Sequence, residues 1–240
     1  MNTELLEKIK SRGYWRIVIR PEQFVAERIP TLAECQSIVE RNQVQYRGLY
    51  LPYIDDQSTR HGLDYIEVAF STSGSVHETW RLYQSGQFVL FRGFREDWMK
   101  EDSWFRSHQK PTIESGTKLD ILSTLYQLSE TYEFATRLAQ ADTLGNRLFL
   151  DVNLVHTKGR RLFFRDSAKY DFPPFLPPSA ECELEELPRQ RSFDVADFIA
   201  RSRQYSFDHF LWLLERFNVN VSRGFPDFKQ DQERLFEGRL

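Results

Sequence analysis

Apolar positions along this chain fall into two periods, and each period marks a different kind of element. GYWRIVIRP (Gly13–Pro21) concentrates β-branched and aromatic residues and stops at a proline, which predicts a strand. Thr31 followed by Glu34 forms a capping box, in which the hydroxyl accepts from the N3 amide and the carboxylate reaches back. Behind it Leu32, Cys35, Ile38 and Val39 make one stripe, so a helix runs to about Arg41. Strands are expected at Tyr46–Ile54 and Leu63–Phe70, with the polar loop DDQSTRHG between them. The charged segment MNTELLEKIK at the start reads as a helix and lacks the apolar core of a signal peptide.

The most organised run is ETWRLYQSGQFVLFRGF, Glu78 to Phe94, which reads as a hairpin. A two-residue turn at Ser85-Gly86 puts Trp80 opposite Phe91 and Leu82 opposite Val89 on one face, the candidate core. Tyr83 opposite Phe88 and Arg81 opposite Leu90 occupy the other. A three-residue loop with Gly86 left-handed would slip this register. On the two-residue reading Arg81, Tyr83, Phe88 and Arg92 form a candidate aromatic surface. Rings interleaved with arginine on an open sheet can stack bases or anchor a protein.

Arg95 to Thr117 turns polar and is interrupted by Pro111 and Gly116, which suggests a boundary. Residues 1–110 are then a sheet-rich half and 111–240 a helix-rich half, as two domains or as one fused sheet. In the second half Thr117 is the expected cap of a long helix, with Ile121, Leu125, Leu128, Tyr132, Ala135 and Leu138 at helical spacing. Strands are expected at Arg147–Val155 and Arg161–Arg165, joined by HTKGR, and another at Glu181–Leu187. DFPPFLPP (Asp171–Pro178) is a stiff connector. Two helices near Asp194–Arg203 and Ser206–Phe217 and a short one from Pro226 complete an α+β reading. The N-terminal half holds a mostly antiparallel sheet with a helix. The C-terminal half holds a long helix, a small sheet and terminal helices.

Composition narrows the classes. With 40% hydrophobic and 28% charged residues among 240, the chain can bury a sizeable core. Twenty Phe, ten Tyr and five Trp are many, and fit either a well-filled core or a partner surface, since aromatics carry large buried areas and also dominate interface anchors. A net charge of −3 gives no global pull on nucleic acid or anionic lipid, so such binding needs a local patch. Cys35 and Cys182 are far apart, which fits free thiols in the cytoplasm, the expected location. The longest strongly apolar run, Phe210 to Leu214, is too short to span a bilayer, and no membrane is expected among the partners.

Common chemistries lack their signatures. The five histidines are dispersed without HExxH or a cysteine partner, so no metal is expected. Neither glycine-rich phosphate cradle nor a GxSxG elbow occurs, and no cofactor or catalytic residue is assigned. The acids Asp55, Asp56, Asp64 and Glu67, joined by Glu78 or Asp151, would serve a metal-dependent nuclease or other hydrolase only if they converged. Arg147, Lys158, Arg160, Arg161 and Arg165 on two adjacent strands make a candidate partner- or phosphate-binding hairpin. The alternative is internal pairing with Glu181, Glu183, Glu185 and Glu186. The leading expectation is a non-catalytic intracellular binding or accessory subunit that works through protein contacts, in a homo-oligomer or a hetero-complex. Nucleic-acid binding through the basic hairpin stands second, and the hydrolase third.

Overall fold

The first strand, β1 (Tyr14–Pro21), alternates strictly, with Trp15, Ile17 and Ile19 buried and Tyr14, Arg16, Val18 and Arg20 half-buried. That alternation is what a strand between two unlike layers requires. The computed structural model describes residues 1–48, 50–55, 57–72, 74–101, 113–164, 180–221 and 227–239. Strand β1 is an interior strand, fifth of seven, in an antiparallel sheet. The others, in chain order, are β2 (Thr59–His61), β3 (Tyr65–Ser71), β4 (His77–Tyr83), β5 (Phe88–Gly93), β7 (Arg147–Val155) and β9 (Glu186–Asp194). Their spatial order is β2-β3-β4-β5-β1-β7-β9. Strands β6 (Lys118–Asp120) and β8 (Arg161–Phe163) pair separately, in parallel.

The protein is therefore α+β, as its patterning predicts. Strands from both sides of the expected 1–110/111–240 division lie in one sheet, because β1 pairs with β5 on one edge and β7 on the other. Of the expected boundary, residues 102–112 lie outside the described residues, as does the proline-rich 171–178.

The hairpin takes the slipped register. Trp80 pairs with Leu90, Leu82 with Phe88 and Arg81 with Val89. The loop has three residues, closed by Tyr83 N–H donating to the Gln87 carbonyl at 2.9 Å, and Gly86 sits at φ +84°. This is the loop class that needs a left-handed third residue, and glycine supplies it without steric cost. The consequence is a correction on both faces. Phe88 joins Trp80, Leu82 and Leu90 in the core, while Val89 and Phe91 stand on the opposite face.

Helices cover the inner face. They are α2 (Leu32–Asn42), α4 (Ile121–Gln140) and α5 (Val195–Arg216), with α6 (Phe228–Phe236) behind, whereas α1 (Thr3–Lys10) lies over β4 and β5 outside. A four-residue turn of helix, α3 (Arg95–Trp98), follows β5. Phe88 meets Phe134 of α4 at 4.9 Å between ring centres, and Phe193 of β9 meets Phe198 of α5 at 4.9 Å. Thr31 caps α2 as expected, its hydroxyl accepting from the Glu34 amide at 3.1 Å.

Four elements differ from the sequence expectation. Helix α4 starts three residues late, at Ile121, because Lys118–Asp120 are extended and paired with β8. The two expected C-terminal helices are one, since no glycine or proline breaks 195–216 and Ser206 packs inside it, donating to the Arg203 carbonyl. Tyr46–Ile54 forms no strand, only a bridge between Val44 and Leu51. The strand expected at Glu181–Leu187 begins at Glu186, as the edge strand β9, where Pro188 can lack its N–H.

Trp80 is 0% exposed, and its indole N–H donates to the Tyr53 carbonyl at 2.7 Å. Trp80→Ala is expected to lower unfolding free energy by about 3–5 kcal/mol in a denaturant titration. A loss below about 1 kcal/mol would place this face outside the core.

Candidate functional site

The basic residues singled out in the sequence do not form one hairpin. Strand β7 pairs with β1 and β9, and β8 pairs with β6, so the two expected partners are in different sheets. Arg147 and Val155 end the same strand, about 26 Å apart at about 3.3 Å per residue. Arg147 is exposed and binds Glu22 at 2.6 Å. Lys158 and Arg161 are exposed at the other end, and Arg165 lies outside the described residues.

Arg160 is 1% exposed and turned inward. Its Nη1 and Nη2 donate to the two oxygens of Asp97 at 2.8 and 2.5 Å, its Nε to the His156 carbonyl, and Nη1 also to the Lys118 carbonyl. Such a guanidinium is committed inside the protein and has no geometry left for phosphate. Glu181 meets Arg161 only through a backbone bridge, Glu185 accepts from His156 at 2.6 Å, and Glu186 accepts from Asn153.

The aromatic surface is likewise divided between layers. Arg81 binds Glu67 at 2.6 Å and stacks 4.0 Å from the Tyr65 ring centre on the outer face, beside Tyr83. Phe88 is core, and Arg92 points to the inner face beside Glu78, 3.5 Å away.

The acids do not gather either. Asp55 accepts from the Ser58 amide, Asp56 lies outside the described residues, and Asp64 is exposed in a turn. Glu67 faces outward and Glu78 inward, on adjacent strands. Asp151 is four strand spacings from Glu67, about 19 Å at about 4.8 Å per spacing. It is held by Arg16 at 2.8 Å instead. Among the described residues no group of three His, Cys, Asp or Glu side chains is placed to hold a metal ion. No described helix is long and apolar enough to cross a membrane.

Two other features stand out, and of their residues only Arg92 and Arg147 were singled out in the sequence. The first is a polar cavity on the inner face, where Trp15 and Arg92 sit side by side in register. Its walls include Arg47, Arg95, Glu96, Gln127 and Glu130. Arg47 grips Glu130 with two bonds, at 2.9 and 2.5 Å. Burial raises the Glu78 carboxyl, against the pull of Arg92 and of the Tyr53 amide that donates to it at 2.6 Å. The sequence signal was a polar stripe, Thr124, Gln127 and Glu130, three residues apart on an otherwise apolar helix.

The second feature is an apolar end. Phe24 and Leu63 are 77% and 95% exposed, and Val25 is exposed beside Phe24. Their two segments lie at the same end of the sheet, where Ile29 N–H donates to the Gln84 carbonyl and Gln84 N–H to the Asp64 carbonyl. A charged rim is supplied by Glu22 and Arg147. No sequence period marks these residues, because they stand in loops.

No family model, curated protein or solved structure matches the chain.

Arg160→Met should cost about 3–5 kcal/mol, because it strands the Asp97 carboxylate in the interior, whereas the exposed Lys158→Ala should stay within about 0.5 kcal/mol. Chemical denaturation of the two variants tests this, and a small loss for Arg160→Met would return that residue to the candidate surface.

His77 gives a pH prediction. Burial, with Lys8 adding to it, holds its imidazole down at about 4. The unfolded chain protonates near about 6.5, so acid favours unfolding through this group as pH falls from about 6.5 to about 4. Wild type should therefore lose more stability than His77→Gln across that window, and equal losses in parallel melts would remove His77 from the account.

Proposed function

We propose that the protein is a non-catalytic intracellular binding or accessory subunit whose partner is a protein. The observation that carries this reading is the exposed apolar end formed by Phe24, Val25 and Leu63. Large apolar side chains left in water favour burial at about 25 cal/mol per Å². At one end of the sheet, with the charged Glu22–Arg147 pair near Phe24, such residues suit an interface anchor. The dispersed acids offer little to the hydrolase reading. Nucleic-acid binding through the 147–165 segment retains Lys158 and Arg161 as exposed cations, without Arg160 and with Arg147 at the far end of β7.

The test uses the double variant Phe24→Ser with Leu63→Ser. Its unfolding free energy should stay within about 0.5 kcal/mol of wild type, since neither residue is core. Sedimentation of the purified chain and affinity purification from native extract should show a complex or oligomer for wild type that the variant loses. A monomeric wild type with no retained partner, or a variant that keeps its partner, would overturn the reading. So would Mg²⁺-dependent cleavage of nucleic acid by the purified chain.

A further inference from the structure

The cavity beside Trp15 lies far from the apolar end and has chemistry of its own. It is partly open to solvent and holds about 80 Å³. That is room for two or three waters at about 30 Å³ each, the scale of one oxyanion group and not of a nucleotide. Its roof is the first turn of α4, a helix of 20 residues, which contributes Ser123 and Thr124 and then Gln127 one turn later. The Asp120 side chain makes no capping bond to that turn, and accepts instead from the Ser123 hydroxyl at 2.8 Å. Helix starts present amides and the positive end of the dipole, and favour an anion there.

The independent observation is Gln127. It is 5% exposed, and its Nε2 has no hydrogen-bond partner. A buried amide donor left unpaired costs free energy that an acceptor would recover. Across the cavity Arg92 Nη1 is also without a hydrogen-bond partner, its nearest carboxylate oxygen on Glu78 being 3.5 Å away. Of the carboxylates around the site, Glu130 is engaged by Arg47 and Glu96 by the Asp120 amide at 2.9 Å, while Glu78 takes the Tyr53 amide on one oxygen and turns the other toward Arg92. Gln127 therefore brings an unbonded donor to the cavity wall from the helix, and Arg92, held only by a long ion pair to Glu78, brings a cation from the sheet.

We infer that this cavity is a binding site for a single small oxyanion group, held between Arg92 of β5 and Gln127 of α4 at the start of that helix. The group is a phosphate, a sulfate or a carboxylate, free or at the tip of a larger ligand.

Calorimetric titration of the full chain with inorganic phosphate, sulfate and acetate, against chloride at matched ionic strength, tests the site. At least one of the three should saturate a single site and raise the thermal unfolding midpoint. Gln127→Leu keeps the side-chain volume and removes the donor, so it should melt no earlier than wild type yet bind at least about tenfold more weakly. Arg92→Lys, which keeps the charge, should weaken binding too, because it loses the planar fork. Phosphate or sulfate binding without acetate supports a tetrahedral ligand, and acetate binding supports a carboxylate. Absence of binding beyond the chloride control overturns the inference, as does Gln127→Leu binding as tightly as wild type.

Discussion

The arrangement of this chain depends on one buried carboxylate. Asp97 accepts four hydrogen bonds: two from Arg160, one from the Gly13 amide at 2.8 Å and one from the Gly116 amide at 2.8 Å. Four segments distant in sequence meet there, the lead-in to β1, the turn α3, the lead-in to β6 and the turn after β7. A carboxylate this deep is tolerable only if its lone pairs are filled, so the four segments must arrive together. Gly13 is required for the same reason, since a Cβ there would stand 2.2 Å from Phe94 and 2.3 Å from Arg160. Breaking such a site costs far more than its net contribution to stability, which makes it a determinant of which strands meet.

The same rule explains how arginine enters the interior elsewhere. On β9 the residues facing the helices include Arg189 and Arg191, opposite Val152 and Leu150. Each stacks on rings, Arg189 at 5.0 Å from Trp212 and Arg191 at 5.5 Å from Tyr205. Arg12 covers Trp98 at 3.9 Å. Much of the aromatic excess thus serves guanidinium groups, which bury their stems and rest their planes on ring faces. His209, close to this layer and bonded to the Tyr132 hydroxyl, is held neutral by burial and by Arg189 and Arg191.

Local pattern was readable wherever a period decided the element. Gly13–Pro21 gave β1, Arg147–Val155 gave β7 to the residue, and the α4 stripe was correct from Ile121 onward. What the sequence could not show was partner choice. The HTKGR turn looks like a hairpin tip, yet Arg160 within it is drawn to Asp97 and sends the chain to β6. One extra loop residue at Gln84 exchanged Phe88 for Val89 in the core. Residue type also misled, because an arginine in a basic run reads as a surface cation until its acid is located 63 positions away. Gln127 was passed over for the opposite reason: an amide inside an apolar stripe carries no charge to draw notice.

The two proposed sites stand at opposite ends of β1. Trp15 borders the cavity and Pro21 precedes the apolar end, about 20 Å apart at about 3.3 Å per residue. Between them run Ile17 and Ile19, 1% and 0% exposed and in register with neighbours on both sides. A close-packed strand of this kind transmits a signal only if it has two discrete arrangements, and any slip would turn its inner residues to the outer face. An anion in the cavity is therefore expected to stabilise the sheet as a whole without changing affinity at the far end. Cooperation between the sites would have to run instead through the helical layer, where α4 touches both the cavity, at Gln127, and the sheet floor, at Phe134.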